Sequence, residues 1–277
     1  MKVTAINNKF NSAVQLEKDG HYEAAQKEYI SIITADPSFR PAYVNLGSLY
    51  SRMNHFAESI RCFEAALTLG RDYITYFNIG CTLYKMNEYS KALASLQLSV
   101  SLNKQFALSK LVAGLCHSRL NNLTEAEKYF CDVLKIWPNN RVSLTALAII
   151  YYNTNKYDYS LQLLNRILYL DAGNIKLREL KSNILLKTGR IDETVKEIKI
   201  IKQKADGYRY FDEFIKSIPV ESLTDKYGTI DSKIDLLKNQ SNKSGDHLIS
   251  LSLCHLFKGE TDTAIDYLFR FKKNFSN

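Results

Sequence analysis

The stretch Tyr76–Tyr84, YFNIGCTLY, places a glycine beside a cysteine within a segment that otherwise has the composition of an apolar helix. A glycine in a helix interior costs about 1 kcal/mol relative to alanine. Glycines also occupy the corresponding positions one unit before and one unit after, at Gly47 and Gly114. This recurrence indicates that Gly80 satisfies a packing constraint and that the surrounding stretch is one unit of a repeat.

The repeat has a period of 33 or 34 residues, and its signature is clearest in residues 40–72. A large residue, a leucine, a small residue and an aromatic residue are followed by another small residue and another aromatic one: Tyr43, Leu46, Gly47, Tyr50, Ser59 and Phe63. This pattern resembles the tetratricopeptide repeat, W-x2-L-G-x2-Y…A-x3-F…P. The resemblance covers nearly the whole chain and rests on packing positions, so it is specific for fold and nearly silent on function.

The resemblance implies an all-α fold, a right-handed superhelical solenoid of about seven antiparallel helical pairs, each with a helix A and a helix B. Proline and glycine are scarce, at 4 and 11 residues, which favours helix throughout. The expected clear repeats are 6–39, 40–72, 73–106, 107–140 and 141–174, followed by a drifted repeat 175–207, a degenerate helical pair or insert 208–244, and a last repeat 245–277.

Small residues at the eighth and twentieth positions of each repeat are expected to let helices A and B approach closely. Gly47, Gly80, Gly114 and Ala148 fill the first set, and Ala25, Ser59, Ala92, Ala126 and Ala264 fill the second. Polar turn sequences such as KDGH, RMNH and KMNE separate the two helices. A single pair cannot bury its own apolar face, so stacking of neighbouring repeats is expected to supply the core.

The composition is that of an ordinary soluble protein, with 45% hydrophobic residues, 24% charged residues and a net charge of +8. The N-terminal segment lacks an apolar signal core, and no apolar run is long enough for a membrane span, so a cytoplasmic protein without membrane insertion is expected. The five cysteines are an odd number without a CxxC motif, which favours reduced thiols over disulfides or structural zinc.

In the family, helices A line a concave groove that binds ligands. The residues expected to form a peptide-binding groove here are Asn11, Asn45, Phe77, Asn78, Cys81, Tyr84, Leu111, Leu115, Ile149 and Tyr152. The apolar members suit an apolar or amphipathic peptide segment, unless other parts of the chain cover them. The three asparagines share position 6, where they could bind a peptide backbone or could simply follow the repeat consensus.

Position 13 of most repeats carries a cation, at Lys18, Arg52, Lys85, Arg119 and Lys187. A cation at a helix C-terminus is favoured by the helix dipole, which is a sufficient structural reason. The row would also form a basic rim that attracts acidic ligands. A local excess of 10 basic over 5 acidic residues between Lys176 and Arg209 is interpreted as a solvated helical pair or, alternatively, as a landing site for an acidic partner.

Motifs of catalysis and of cofactor binding are absent from the sequence, including GxxxxGK[ST], GxGxxG, HExxH and GxSxG. The pairs Cys116–His117 and Cys254–His255 lie too far apart in a stack of repeats to form one metal site. We therefore expect no enzyme, no cofactor and no metal. A clamp for the C-terminal carboxylates of chaperones, known in the family, is disfavoured because Phe10 and Val14 stand where it needs lysine and asparagine.

The last helix of the sequence offers Leu268, Phe269, Phe271 and Phe275, more large apolar side chains than one inward face can hide. They predict a docking end for a second copy of the chain or for another protein. The alternative is that some of them fold back on residues 208–244.

Three hypotheses of function follow. The first is a non-catalytic scaffold or adaptor that binds an extended or amphipathic peptide segment in its groove, within a larger assembly. The second is a structural subunit that docks through its ends and convex face, including self-association. The third is an RNA-binding helical repeat protein, which the apolar middle of the groove and the dispersed positive charge disfavour.

Overall fold

Helices form all the regular structure in the described part of the chain, which confirms the all-α prediction. The computed structural model describes residues 2–204 and 230–239 and, further on, residues 247–248, 251–252, 254–255, 260, 263, 266–267 and 270. The helices are α1 (Lys2–Lys18), α2 (Tyr22–Ala35), α3 (Arg40–Arg52), α4 (Phe56–Leu69), α5 (Tyr73–Lys85), α6 (Tyr89–Leu102), α7 (Ala107–Arg119), α8 (Leu123–Ile136), α9 (Arg141–Asn153), α10 (Tyr157–Leu170), α11 (Ile175–Lys187), α12 (Ile191–Lys204) and α13 (Ile230–Asn239).

The chain divides into two compact units, Met1–Leu147 and Ala148–Asn277. In the first unit each helix from α1 to α8 packs against the next, and α5 also contacts α3 and α7. Helices A of successive repeats are therefore neighbours. In the second unit α10 packs against α11, and α11 against α12. Within residues 2–204 and 230–239, no helix is both long and apolar enough to cross a membrane.

The turn between helices A and B has the same conformation in successive repeats. Asn54, Asn87, Asn121 and Asn155 adopt left-handed φ angles of 57–63°, and Gly20 and Gly189 take the same place with φ angles of 83° and 73°. Asparagine and glycine are the residues that tolerate this region. The next residue then donates its backbone N–H to a carbonyl five residues earlier, as in His55 to Tyr50 at 2.9 Å, which satisfies the end of helix A.

A backbone hydrogen bond of this kind also occurs near the end of the sequence, where the Glu260 N–H donates to the His255 carbonyl at 2.9 Å. The sequence KGET at this place predicts a turn between helices, as KDGH does in the first repeat. The observed hydrogen bond has the same five-residue span as in the earlier repeats.

The glycines at position 8 let a large side chain of helix B sit directly against the backbone of helix A. A methyl group added to Gly80 would lie 2.6 Å from Leu96 Cγ, and one added to Gly47 would lie 2.7 Å from the Phe63 ring. At Gly114 the corresponding distance to the Phe130 ring is 2.9 Å. The expected close approach is present, and its partner is a large residue of helix B.

Position 20 adds a polar contact in two repeats. Ser59 Oγ donates to the Gly47 carbonyl at 2.7 Å, and Ser160 Oγ donates to the Ala148 carbonyl, also at 2.7 Å. Both serines are fully buried. A buried hydroxyl is tolerated only when it is hydrogen-bonded, and each serine meets that condition by joining its own two helices.

Arg40 connects the end of one repeat to the start of the next. Its Nε donates to the carbonyls of Ala66 and Gly70 at 3.2 and 3.1 Å, near the C-terminus of α4. Its Nη2 pairs with Asp72, whose carboxylate accepts the backbone N–H groups of Ile74 and Thr75 and so caps α5. One side chain thus joins three helices.

A buried ionic group holds α11 to α12. Glu197 is only 7% exposed, and its carboxylate accepts from Arg178 Nη1 at 2.7 Å and from Lys181 Nζ at 2.6 Å. Two of the ten basic residues between Lys176 and Arg209 are therefore engaged inside the fold. Arg190, a third, pairs with Glu193 at 2.7 Å on the surface.

We expect Gly80→Ala to lower the free energy of unfolding by about 1–2 kcal/mol, because overpacking outweighs the helix propensity gained. Leu96 is fully buried and has little room to move. Urea unfolding of the purified chain measures the change. Gly173→Ala is the control, since its methyl would meet nothing closer than Asp171 Oδ1 at 3.6 Å. Leu96→Ala completes a double-mutant cycle. If Gly80→Ala destabilises the Leu96→Ala variant as much as the unaltered chain, the contact with Leu96 is not the source of the lost stability.

Glu197→Gln is expected to destabilise the chain by about 3–5 kcal/mol, because it leaves two buried cations without a counter-charge. The matched control is Glu193→Gln on the same helix, whose pair with Arg190 is exposed and is worth less than about 1 kcal/mol. Thermal unfolding followed by circular dichroism compares the two. Equal losses in both variants would contradict a special role for the buried group.

Candidate functional site

The candidate site in the first unit lies on α3, α5 and α7, which we call the A-helix face. Phe77 and Cys81 are four residues apart on α5, and Leu111 and Leu115 are four residues apart on α7. Residues at this spacing share one side of a helix. All four side chains are half-buried. The face therefore offers apolar surface from two neighbouring helices, which is the composition predicted for the groove.

The aromatic residues at position 5 are held by an aromatic residue that precedes the next helix A. Phe77 contacts Phe106 edge to face, with ring centroids 5.2 Å apart, and Phe10 contacts Phe39 in the same way at 5.4 Å. Edge-to-face pairs fix the orientation of both rings. Phe77 is thus presented in a set position on the A-helix face.

The three asparagines at position 6 differ in their surroundings. Asn45 Nδ2 donates to the Tyr29 hydroxyl at 3.3 Å, and Tyr29 donates to Glu17 at 2.9 Å. Burial raises the pKa of Tyr29 above its usual range, so the hydroxyl remains a donor to Glu17. Asn45 therefore takes part in a polar network between the first two repeats, a contact that the sequence pattern did not indicate.

Asn78 and Asn11 have no such contact. Within the described residues, neither side chain forms a hydrogen bond. Asn78 is half-buried on α5, whereas Asn11 is exposed. A half-buried amide with its donors and acceptor unused is the arrangement that a peptide backbone could satisfy.

The cations at position 13 reach back to position 12 of an earlier repeat. Arg52 pairs with Glu17 at 2.9 Å, and Lys85 Nζ donates to the Ser51 carbonyl at 3.1 Å. In the same register, Arg119 Nε donates to the Tyr84 hydroxyl at 3.5 Å, and Lys187 Nζ donates to the Tyr152 hydroxyl at 3.1 Å. Lys18 is exposed.

These contacts span 34 or 35 residues, which is one repeat. They give the cations a structural role in joining repeats, in addition to the helix dipole. Among the described cations of this row, Arg52 pairs with a carboxylate, whereas Lys85, Arg119 and Lys187 contact neutral oxygens, so these contacts do not offset their charge. The sequence shows only that positions 12 and 13 are adjacent within each repeat. Position 13 contacts position 12 of the preceding repeat only when the repeats stack.

Tyrosine pairs accompany two of these cations. The ring centroids of Tyr84 and Tyr89 are 5.4 Å apart in the first unit, and those of Tyr152 and Tyr157 are 6.2 Å apart in the second. Lys187 Nζ also lies 4.8 Å from the centre of the Tyr152 ring, a cation–π contact. Ile149, the other predicted groove residue of the second unit, is 43% exposed.

The thiols near the site are not activated. Burial raises the pKa of Cys81 to about 12, although nearby Lys85 acts in the opposite direction. Burial likewise raises the pKa values of Cys62 and Cys116 to about 11. A thiol is nucleophilic as the thiolate, so at neutral pH Cys81 serves as a small apolar lining residue.

His117 is a buried histidine whose two ring nitrogens have no hydrogen-bond partner among the residues that the structure describes. Its ring stacks on Tyr129 with centroids 5.3 Å apart, and burial lowers its pKa, so the neutral form is favoured. In the described part of the chain, no group of three or more histidine, cysteine, aspartate or glutamate side chains could hold a metal. The predicted docking end, Leu268, Phe269, Phe271 and Phe275, lies outside the described residues.

Comparison with known proteins identifies the repeats. The tetratricopeptide repeat model matches residues 41–73, 73–106 and 109–140. These are segments in which the helical pairs α3–α4, α5–α6 and α7–α8 occur. The matched residues form three tetratricopeptide repeats, as the sequence resemblance predicted. Proteins built from this repeat generally bind other proteins and act as interaction scaffolds.

Individual relatives are distant. Superkiller protein 3 of Schizosaccharomyces pombe is 20% identical over 166 residues, which covers 57% of this chain and only 12% of that protein. Among solved structures, Pseudomonas aeruginosa PilF aligns with a TM-score of 0.65 at 18% identity, covering 77% of this chain and 97% of that one. YrrB aligns with a TM-score of 0.52 at 23% identity, covering 62% and 93%. These likenesses establish the fold.

Alkylation of the native chain should show the raised pKa of Cys81. At pH 8, a pKa of about 12 leaves roughly one thiol in ten thousand as thiolate, so iodoacetamide should modify Cys81 far more slowly than in the same chain unfolded in urea. Mass spectrometry of tryptic peptides measures both rates. Modification of native Cys81 at the unfolded rate would show that burial does not protect it.

Proposed function

We propose that this protein is a non-catalytic scaffold whose A-helix face captures an extended or amphipathic peptide segment of a partner within a larger assembly. The observation that carries the proposal is the combination of half-buried apolar side chains with the unsatisfied amide of Asn78. Apolar surface supplies contact area, and an amide that offers both a donor and an acceptor can align a peptide backbone.

The aromatic contacts support this proposal. Phe77 is held by Phe106 at 5.2 Å and need not be ordered when a ligand arrives. Ordering a mobile side chain on binding costs about 0.5–1.5 kcal/mol, so a ring already in place favours affinity. Aromatic side chains are also the usual anchors of protein interfaces.

The cations beside the face suggest the charge of the ligand. Lys85 and Arg119 are exposed and contact neutral oxygens. A peptide with acidic residues flanking its apolar segment would be attracted to them, and the attraction would weaken with added salt. YrrB, a structural neighbour of this chain, is described as having an unusual peptide-binding site. That description agrees with a peptide ligand and is a property of YrrB.

The test uses a peptide selected from a random library on the immobilised full chain. Asn78→Ala should weaken binding of that peptide about fivefold, the effect of one lost hydrogen bond of roughly 1 kcal/mol. Leu111→Ala should weaken it by a similar factor through lost apolar contact. Fluorescence anisotropy measures the affinities, and circular dichroism checks that the variants stay folded.

The matched control is Leu98→Ala, which removes an equally apolar side chain from α6, where it is 49% exposed and lies off the A-helix face. It should leave peptide affinity unchanged. A selected peptide that is insensitive to Asn78→Ala and Leu111→Ala but sensitive to Leu98→Ala would place binding elsewhere and overturn the proposal.

A further inference from the structure

A cavity of about 380 Å³ opens between α6, α7 and α8, formed by residues that do not belong to the A-helix face. Its size falls within the range of about 300–1,000 Å³ that is usual for small-ligand sites. Lys104 lies in the connection before α7, Lys110 in the first turn of α7, and Lys128 on α8. Three lysines from three consecutive parts of the chain thus line one cavity.

The lysines of this cavity have few acidic partners among the described residues. In the part of the chain that the structure describes, Lys104 and Lys110 form no ion pair. Lys128 pairs with Glu125 at 3.5 Å, but both side chains are exposed and such a pair is weak. Asp132 also lines the cavity, and its carboxylate is already bound by Lys135 at 2.7 Å.

Neutral donors complete the lining. Tyr129 is half-buried on the stacked ring of His117, which orients it, and its hydroxyl has no hydrogen-bond partner within the described residues. Gln97 contributes a side-chain amide from α6. An ammonium ion, a phenol and an amide all donate hydrogen bonds, and an anion with several oxygens can accept from all of them.

We propose that this cavity binds a phosphate monoester, either the phosphorylated side chain of a partner protein or free phosphate. The charge balance favours this class over a carboxylate. The three lysines exceed Asp132 by two positive charges, and a phosphate monoester carries about −1.5 to −2 at neutral pH. Lysine is an established phosphate ligand that acts as a point charge. The site is independent of peptide capture by the A-helix face.

The probe is a blocked peptide that carries one phosphoserine between glycines, titrated into the full chain and followed by nuclear magnetic resonance. The variant Lys104→Gln with Lys110→Gln should weaken its binding about tenfold or more, since each charge-assisted hydrogen bond is worth about that factor. Tyr129→Phe, which removes only the hydroxyl, should weaken it severalfold. Added salt should weaken binding to the unaltered protein.

The control Lys27→Gln with Lys91→Gln removes the same charge from exposed positions outside the cavity. It should keep the affinity of the unaltered protein. Equal losses in the control and the cavity variant would show an effect of net charge alone and would overturn the proposal. The proposal would also be overturned if the unphosphorylated peptide, or a version with glutamate in place of phosphoserine, bound as tightly as the phosphopeptide. Tighter binding of single-stranded RNA than of the phosphopeptide, lost in the cavity variant, would overturn it as well.

The two sources of phosphate are separated by titrating inorganic phosphate under the same conditions. Inorganic phosphate that binds as tightly as the peptide identifies free phosphate as the ligand, whereas tighter binding of the phosphopeptide identifies a phosphorylated side chain. Asn78→Ala should leave either titration unchanged, so failure of the peptide proposal and failure of this one give different results.

Discussion

In each of three repeats, a large side chain of helix B occupies space where helix A has only a glycine hydrogen. Leu96 lies against Gly80, Phe63 against Gly47, and Phe130 against Gly114. Contact this close fixes the distance between the paired helices, and interiors packed at crystal density transmit that distance to their neighbours. Stacking of repeats, and the side-by-side arrangement of α3, α5 and α7, depend on it because each helical pair must present the same surface to the next.

Polar contacts one repeat apart then set the register between helical pairs. A cation at position 13 reaches position 12 of an earlier repeat, as in Lys85 to Ser51, and Arg40 joins α3, α4 and α5. The side chains in these contacts resemble a binding surface when only the sequence is considered. Asn45 shows the same effect, because its amide donates to Tyr29. Under the proposed function, a smaller set of side chains remains for a ligand, with the amide of Asn78 beside the Phe77 ring at its centre.

Two surfaces with different chemistry result in the first unit. The A-helix face is apolar with an unsatisfied amide, and the cavity between α6, α7 and α8 is cationic with neutral donors. Peptide capture on the first is proposed to depend mainly on buried apolar area, with only the flanking attraction to Lys85 and Arg119 sensitive to salt, whereas anion binding in the second depends on charge, which salt screens. The two proposals can therefore be examined separately on one protein.

Local sequence alone determined the repeat, the helical pairs and the turns. Small residues at positions 8 and 20 and left-handed turn residues such as Asn54 and Gly189 act within one helical pair, so their meaning is visible within about 34 residues of sequence. Only the tertiary structure decided which of these residues the fold itself engages. Asn45 and Asn78 occupy the same position of the repeat, yet Asn45 bonds Tyr29 of the preceding repeat, whereas the Asn78 side chain has no hydrogen bond within the described residues. The sequence likewise does not reveal that the cavity lysines line one site, because they belong to three elements that only stacking brings together.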